Sequence, residues 1–512
     1  GAVEVATPDD VKAAICLPPL YVDPSEGPGP GPDGNGDGGW NSETDLLADL
    51  TERFGLGAAL RVFHAHRVAF LDFDGELKEM GRLGIKYARV PMSWCLTDHD
   101  PTTIDPENRE EGYVRELEEK FTCLDPFFEE EGVRWPAIPK SLVASFLRSC
   151  SAAGLTATLD VHTYPGGTSI GTFSGVWPRW PRFWTEGDVP ALEGQAPDVG
   201  RSLLSDLISW VESMAEDDPD AFEGVRAISP MNEPAHLAGL MNILYGPGGI
   251  LHQDKDAYLP PLSDEMALSY LSELNPPGSV RTTMPDGPHL RVLLWLRDAV
   301  DAFRTSSLPS LGKELHVNIH ESIFAPAVLP PGDGNDPGGR HPGAMRLIAS
   351  WWAATATDDE RSTWAILDVH HYHAWEPNCQ GAVDGPPLGN YTCGDLEARD
   401  RSLRVCSSWA RTYRDAIDAE AGDSVSRLAS AEFSASTHHS VRRACSDVTS
   451  LRASYDAQME AAEDADVELF WWSWKMPHGG AFRPAWSLKH FLYLQGVRDR
   501  PDESEEVCGG AP

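Results

Sequence analysis

Residues 154–162 read Gly-Leu-Thr-Ala-Thr-Leu-Asp-Val-His, and this stretch decides the predicted fold. Apolar and β-branched residues dominate it, as is typical of a buried strand. It follows a segment with helical spacing of apolar residues, Ser141 to Ala153, and Gly154 separates the two. His162 then places a polar side chain at the carboxyl end of the strand. The sequence therefore predicts a helix, a tight connection and a strand with a polar end.

The same order recurs along the chain without internal sequence repeats. Amphipathic helices are expected at Asp72 to Leu83 and at Gly200 to Glu216, and each leads into another strand. The predicted strands are 84–91, 155–162, 225–228, 314–319, 364–370, 427–432 and 467–474. Alternation of helices with a number of parallel strands near eight, with polar side chains at the strand ends, is typical of one architecture. We predict an α/β fold, a (β/α)8 TIM barrel with long loop insertions on the active-site face.

The barrel is expected to occupy residues 55–500. Residues 1–54 form an N-terminal segment that contains a Gly/Pro-rich loop and, in this prediction, the first barrel strand. Residues 501–512 are expected to form a C-terminal tail.

Composition restricts the partners. The chain has 512 residues, of which 41% are apolar, enough for a large core. Its formal net charge of -38 would repel nucleic-acid phosphates and favours a neutral substrate, although the favoured explanation of the charge is an acidic, solvated surface that keeps the protein soluble. No apolar run is long enough to span a membrane. A removable targeting segment is not recognisable at the start of the sequence. We also expect the protein to be a monomer.

Nine cysteines are an odd number, so at least one is unpaired within the chain. None has the C-x-x-C spacing of zinc ribbons or thioredoxins. Cys95 with Cys123, and Cys379 with Cys393, flank Pro- or Asp-rich stretches, where a disulfide would restrain an insertion. These pairs predict an oxidising, secreted environment.

Two isolated acids, each behind an apolar strand, indicate the chemistry. Glu233 lies in the tetrapeptide Met-Asn-Glu-Pro at 231–234, and Glu432 lies at the end of a later strand. Cleavage of a glycosidic bond needs one carboxylic acid to protonate the departing oxygen and one carboxylate to attack the anomeric carbon or activate water. Asn232, next to the first acid, could bind the sugar 2-hydroxyl. Asn-Glu-Pro alone is also an ordinary strand-to-helix turn.

Further polar and aromatic residues fall at or just past the predicted strand ends, the face where barrel enzymes hold their catalytic residues. Each has a structural alternative: an arginine there can form a surface ion pair, a histidine can be a hydrogen-bonded scaffold residue, and a tryptophan can be core. For His320 the scaffold interpretation is favoured. The set comprises Arg89, His162, Asn232, Glu233, His320, His370, Tyr372, Glu432 and Trp474.

With these residues in place, the chain resembles the retaining glycoside hydrolases of family 5 in clan A, and most closely the fungal exo-β-1,3-glucanases, from about Gly55 to Leu494. The motifs that carry the resemblance are Ala-Arg-Val-Pro at 88–91, Leu-Asp-Val-His at 159–162, Asn-Glu-Pro at 232–234, Asp-Val-His-His-Tyr at 368–372 and Ala-Glu-Phe-Ser-Ala at 431–435. The chain departs from the family at the first strand, where residues 16–20 read Cys-Leu-Pro-Pro-Leu in place of a Gly-Gly-Trp segment.

The resemblance implies double displacement with retention, with Glu432 as the nucleophile and Glu233 as the acid and base. It implies that Arg89 and the Tyr372 hydroxyl hydrogen-bond Glu432. With Arg89 and Tyr372, six residues are expected to have substrate-binding or supporting roles. The other four are Asn232 at the sugar 2-hydroxyl, His162 and His370 beside the sugar and the acid, and Trp474 stacked on the sugar.

No metal and no cofactor is expected. Clustered histidines at 370–373 and 438–439 suggest zinc, but alternate residues of one strand point to opposite faces, so metal catalysis is disfavoured.

Three insertions, Leu96 to Phe121, Ser169 to Gln195 and Leu237 to His289, are expected to wall the active-site face. The second carries Trp177, Trp180 and Trp184, which form either a sugar-stacking platform or a cluster that packs a loop onto the barrel.

Three hypotheses remain open. The first is a hydrolase of β-glucan, foremost laminarin-type β-1,3-glucan. The second is a β-glycosidase of another substrate class, such as a glycolipid like glucosylceramide, or mannan. The third is a glycan-binding barrel without activity, against which the presence of both acids counts.

Overall fold

The computed structural model describes residues 42–71, 75–169, 172–176, 179, 181–183, 196–234, 288–319, 342–376, 379–387, 389–421, 426–440, 443–476 and 483–500. These residues fall into two compact units. Unit 1 holds the described residues up to Pro234 together with 288–315, and unit 2 holds those from His316 onward.

Helices make up much of both units. In unit 1 they are α1 (Glu43–Phe54), α2 (Leu56–Leu71), α3 (Glu76–Arg82), α4 (Glu111–Phe121), α5 (Lys140–Ala152), α6 (Ala196–Asp217), α7 (Pro219–Gly224) and α8 (Pro288–Thr305). In unit 2 they are α9 (Pro342–Thr355), α10 (Asp358–Thr363), α11 (Leu396–Ser407), α12 (Trp409–Ala421), α13 (Val448–Asp464), α14 (Arg483–Trp486) and α15 (Leu488–Leu494). Among the described helices, none has the length and apolarity needed to cross a membrane.

Short and long strands alternate with these helices. In chain order the described strands are β1 (Tyr87–Ser93), β2 (Leu96–Thr97), β3 (Thr122–Leu124), β4 (Arg134–Pro136), β5 (Ile138–Pro139), β6 (Thr156–Thr163), β7 (Val225–Ser229), β8 (Glu314–Asn318), β9 (Ala365–Asp368), β10 (Gly381–Ala382), β11 (Tyr391–Thr392), β12 (Arg427–Phe433) and β13 (Val467–Trp471).

The long strands of unit 1 are parallel neighbours in chain order. β1 pairs with β6, where Tyr87 lies opposite Thr156, and β6 pairs with β7. The start of β8 pairs with β7, where Ala227 lies opposite Glu314. Parallel neighbours need a crossover connection, and here helices supply it between consecutive strands. The carboxyl ends of β1, β6 and β7 therefore lie at one edge.

Unit 2 repeats the arrangement. β9 and β12 pair in parallel, with Ile366 opposite Arg427, and β12 pairs in parallel with β13. The Ile319 amide, just past the end of β8, donates to the Asp368 carbonyl at 2.9 Å. Helices α9 and α10 precede β9, and α13 precedes β13. The predicted fold class, α/β with parallel strands and helices alternating as in a (β/α)8 barrel, is confirmed.

Element boundaries differ from the predictions by a few residues. The helix predicted at 141–153 is α5, and the one at 200–216 is the longer α6. The strand predicted at 84–91 begins later, at Tyr87, because Gly84 adopts a φ of 83° in the turn before it. It also continues past Pro91 to Ser93.

An apolar cluster joins α1, α2 and α4 in unit 1. Leu47 and Leu50 of α1 pack with Leu60 and Phe63 of α2 and with Leu117 of α4, and all five are buried. The helix α4 lies within the predicted insertion 96–121, so this insertion packs onto α1 and α2 through the shared cluster. The predicted domain division at residue 54 stays a prediction. Of the other two insertions, the structure describes residues 169, 172–176, 179, 181–183 and 288–289.

Three disulfides are present in the described residues. The predicted pair Cys95–Cys123 is confirmed. The predicted pair of Cys379 with Cys393 is wrong, because Cys379 bonds to Cys406 and Cys393 bonds to Cys445. Nearness in sequence suggested the wrong pair. A disulfide instead needs Cα atoms within about 7 Å of each other, and α11 carries Cys406 back to Cys379, with their Cα atoms 5.7 Å apart.

Candidate active-site residues

Glu233 has an unusual backbone conformation. It follows β7 within the tetrapeptide 231–234, which is buried throughout. The backbone N–H of Asn232 donates to the Val161 carbonyl of β6 at 3.2 Å. The φ of Glu233 is 41°, and among the described non-glycine residues only Asp466 is also positive. Such a conformation costs on the order of 1–3 kcal/mol and persists only where surrounding contacts impose it, which is common at functional sites. The backbone of unit 1 thus holds this acid in a constrained position.

Four side chains beside it form what we call the Arg89 network: Arg89, Asp160, His162 and Asn232. Arg89 Nη2 donates to Asn232 Oδ1 at 2.6 Å and lies 3.0 Å from Asp160 Oδ2. The same Asp160 oxygen lies 2.7 Å from His162 Nδ1. His162 Nε2 lies 3.3 Å from Asn232 Nδ2. Unit 1 therefore brings three predicted site residues together around one carboxylate.

That carboxylate, Asp160, was missed in the sequence. It is fully buried in β6. Burial alone would raise its pKa, but the charge of Arg89 and the hydrogen bond with His162 lower the pKa below the ordinary value. The available signal was an acid within an apolar strand, two residues before His162 and therefore on the same face of the strand.

Asp160→Asn is expected to lower the free energy of unfolding by about 3–5 kcal/mol at pH 7, because it leaves a buried guanidinium without its carboxylate. The pKa of Asp160 is lower in the folded state than in the unfolded state. The stability it contributes is therefore fully present above the ordinary pKa of 3.8 and is lost as the pH falls through the lower, folded value. The difference in the free energy of unfolding between the variant and the wild type should become smaller only below about pH 4.

Denaturant unfolding at several pH values measures this effect. Asp49→Asn is the matched control, because Asp49 pairs with Arg53 on the surface of α1 and should contribute less than about 1 kcal/mol. Equal losses for the two variants would show that the Asp160 ion pair has no special energetic role.

Unit 2 assembles a second group around Glu432, at the end of β12. The Glu432 side chain is 8% exposed. Tyr372 Oη donates to Glu432 Oε2 at 2.7 Å, and His370 Nδ1 lies 3.6 Å from the same oxygen. The Tyr372 ring packs on Trp486, with centroids 5.2 Å apart, which fixes the hydroxyl in place. A hydroxyl donor at this distance holds the Glu432 carboxylate in one orientation.

Asp368 supports this group and was also missed in the sequence. It is fully buried at the end of β9. Its Oδ1 accepts from the Ala431 amide at 2.7 Å, next to Glu432, and its Oδ2 accepts from Asn318 Nδ2 at 3.2 Å. His370 Nε2 lies 3.5 Å from Oδ2. Asp368 therefore ties the ends of β8, β9 and β12 together at the strand that carries Glu432.

The Tyr372–Glu432 hydrogen bond is the one that the family resemblance implied. The corresponding contact of Arg89 with Glu432 stays a prediction, as do the catalytic and substrate-binding roles of all these residues. Trp474 is half-buried just past β13, and Lys489 Nζ lies 5.9 Å from the centre of its ring. Four of the residues predicted from the sequence, His320, Trp177, Trp180 and Trp184, lie outside the described residues.

Histidines considered for zinc pack against aromatic rings. The His371 ring lies 4.6 Å from Trp409 and 5.4 Å from His373. Burial lowers the pKa of His373 to about 4, so its imidazole is neutral at physiological pH. The rings of His438 and His439 lie 4.3 Å apart, and Trp375 stacks on His439. These contacts give the histidines a packing role.

Comparison with solved structures finds distant similarity. A broad-specificity endoglucanase of glycoside hydrolase subfamily 5-4 from Bacteroides salanitronis is 13% identical, with a TM-score of 0.41 over 85% of this chain and 83% of that one. A hyperthermostable endo-1,4-β-D-mannanase from Thermotoga petrophila is 12% identical, with a TM-score of 0.35 over 78% and 83%. A β-glucosidase from Trichoderma harzianum is 12% identical, with a TM-score of 0.38 over 85% and 83%. No protein-family model and no curated protein matches the sequence.

Proposed function

We propose that the protein is a retaining β-glycoside hydrolase, with Glu432 as the nucleophile and Glu233 as the acid and base. The observation that carries the proposal is the buried Glu432 carboxylate with the Tyr372 hydroxyl 2.7 Å from it. A nucleophilic carboxylate must be held in one orientation, and this donor serves that need. The constrained backbone of Glu233 supports a second functional acid.

In the first step, Glu432 attacks the anomeric carbon while Glu233 gives its proton to the departing glycosidic oxygen, so the aglycone leaves and a glycosyl-enzyme forms. In the second step, Glu233 takes a proton from water. The resulting hydroxide oxygen bonds to the anomeric carbon, and Glu432 leaves as a carboxylate. His162 and His370 would line the sugar, Asn232 would bind its 2-hydroxyl, and Trp474 would stack on its apolar face.

For the substrate we propose a neutral β-glucan, foremost a laminarin-type β-1,3-glucan. The net charge of -38 disfavours anionic polymers, since they would be repelled from the surface. The alternatives are mannan or a glycolipid such as glucosylceramide, and a glycan-binding barrel without activity. Two buried acids, each held in its own unit, count against the last of these.

Release of reducing sugar from laminarin, lichenan and mannan, together with release of glucose from glucosylceramide, tests the proposal. Hydrolysis of laminarin in preference to the others is the expected result. Preference for mannan or glucosylceramide would keep the mechanism and replace the substrate. Binding of a glycan without hydrolysis would refute the enzyme proposal.

The cellular setting is also a proposal. The three disulfides favour a secreted protein, because disulfides persist in oxidising compartments. We further propose a monomer whose catalytic barrel takes in residues 55–500.

Replacing Trp177, Trp180 or Trp184 with Ala is expected to raise KM for long oligosaccharides more than for a short aryl glucoside, if the three form a sugar-stacking platform. Each lost stacking contact should cost about 0.5–1.5 kcal/mol, or roughly 2- to 13-fold in KM. Steady-state kinetics on both substrates measures the difference. An unchanged KM with a lowered melting temperature would assign the cluster to loop packing.

A further inference from the structure

A series of contacts connects Asp160 with both the oxygen and the nitrogen of the Asn232 side-chain amide. Asp160 Oδ2 contacts Arg89 Nη2 at 3.0 Å and His162 Nδ1 at 2.7 Å. Arg89 Nη2 in turn contacts Asn232 Oδ1 at 2.6 Å, and His162 Nε2 faces Asn232 Nδ2 at 3.3 Å. One carboxylate therefore contacts both side chains that contact the amide, and every link lies within unit 1.

Arg89, which only donates, and Asp160, which only accepts, determine every donor and acceptor in this series of contacts. A guanidinium can only donate, so the amide atom facing Arg89 must be the oxygen. The amide nitrogen must then face His162, whose Nε2 has to accept. Nδ1 of His162 must therefore carry the ring proton, and it donates this proton to Asp160, which as a carboxylate only accepts.

We propose that Asp160 is a positioning residue that sets the direction of the Asn232 amide, so that one Nδ2 hydrogen points to His162 and the other serves the substrate. The inference rests on the proposed function, in which Asn232 donates to the sugar 2-hydroxyl. An amide turned by half a rotation would present its nitrogen to Arg89, a donor facing a donor, and its oxygen to the sugar. Asp160 excludes that state by holding both Arg89 and the His162 tautomer.

Loss of the Asp160 charge removes this control. The carboxamide that Asp160→Asn introduces is neutral, so Arg89 would lose its ion pair, and the His162 ring could carry its proton on either nitrogen. Arg89 would no longer be held against Asn232 Oδ1, so the Asn232 side-chain amide would populate both directions. The contact with the 2-hydroxyl should therefore weaken, and a comparison of substrates with and without this hydroxyl isolates that loss from any effect that Arg89 or His162 has on the acids or on the rest of the sugar.

Two substrates distinguish a lost contact with the 2-hydroxyl from a general loss of activity. They are 2,4-dinitrophenyl β-D-glucoside and its 2-deoxy analogue. Asp160→Asn should lower the ratio of kcat/KM for the glucoside to kcat/KM for the analogue by about tenfold or more, the effect of one lost hydrogen bond in the transition state. Asp125→Asn is the matched control. Asp125 is equally buried in unit 1, and it accepts from Trp135 Nε1 at 2.9 Å and from the Gly166 amide at 2.8 Å. This control should leave the ratio unchanged.

His162→Phe tests the same series of contacts without touching the buried charge, and should also lower the ratio if Asp160→Asn fails to fold. A ratio that stays at the wild-type value in a folded Asp160 or His162 variant would overturn the inference and leave the proposed function intact. A wild-type protein that hydrolyses neither glucoside nor β-glucan would instead refute the proposed function.

Discussion

Glu432→Gln is expected to lower kcat by about 10⁴-fold or more, because a carboxamide cannot attack the anomeric carbon. The fold should survive, since Gln keeps the volume of Glu and can still accept from Tyr372, which lies 2.7 Å from the carboxylate. Hydrolysis of an aryl β-glucoside, followed together with circular dichroism, measures both. Glu468→Gln is the matched control. Glu468 lies on the adjacent strand β13 in a partly exposed ion pair with Arg427, and its loss should leave kcat nearly unchanged.

Azide provides a second test, because it can replace the missing carboxylate of Glu432 as the nucleophile. In Glu432→Ala the removed side chain leaves space, and azide can attack the substrate directly from the face that Glu432 would have used. One inversion yields the α-glycosyl azide. Near wild-type activity in either Glu432 variant, or a β-azide from Glu432→Ala, would rule out the nucleophile role.

Loss of the acid has a second, distinct signature. Glu233→Ala is expected to lower kcat/KM by several orders of magnitude on β-glucan, whose leaving oxygen needs a proton, and far less on a dinitrophenyl glucoside, whose leaving group needs none. Azide should then attack the glycosyl-enzyme and yield the β-azide, after two inversions. Equal losses on both substrates would contradict the acid role of Glu233.

The sequence predicted the fold because the helix and strand periodicities are local properties. Polar residues also lay at or just past the ends of several predicted strands, and this marked Arg89, His162, Asn232, His370 and Tyr372 as candidates. In the structure each of these residues lies in a buried group within its own unit. The φ of 41° at Glu233 had no sequence signal, because it follows from the contacts that surround the turn.

Residues inside the strands were harder to identify. Asp160 and Asp368 read as part of two apolar runs, and only their partners reveal their function: Arg89 for the first, and the Ala431 amide for the second. The pairing of Cys379 with Cys406 was missed for a related reason. A contact between segments depends on how helices and loops return in space, and spacing along the chain does not encode this.

The stereochemistry of the first product tests the central claim most directly. Double displacement inverts the anomeric carbon twice, once when the nucleophile attacks and once when water displaces it, so the product keeps the β configuration. NMR of a laminarin digest, recorded before mutarotation, should therefore show the β-anomer as the first sugar released. An α-anomeric first product would contradict double displacement, and with it the assignment of Glu432 as the nucleophile.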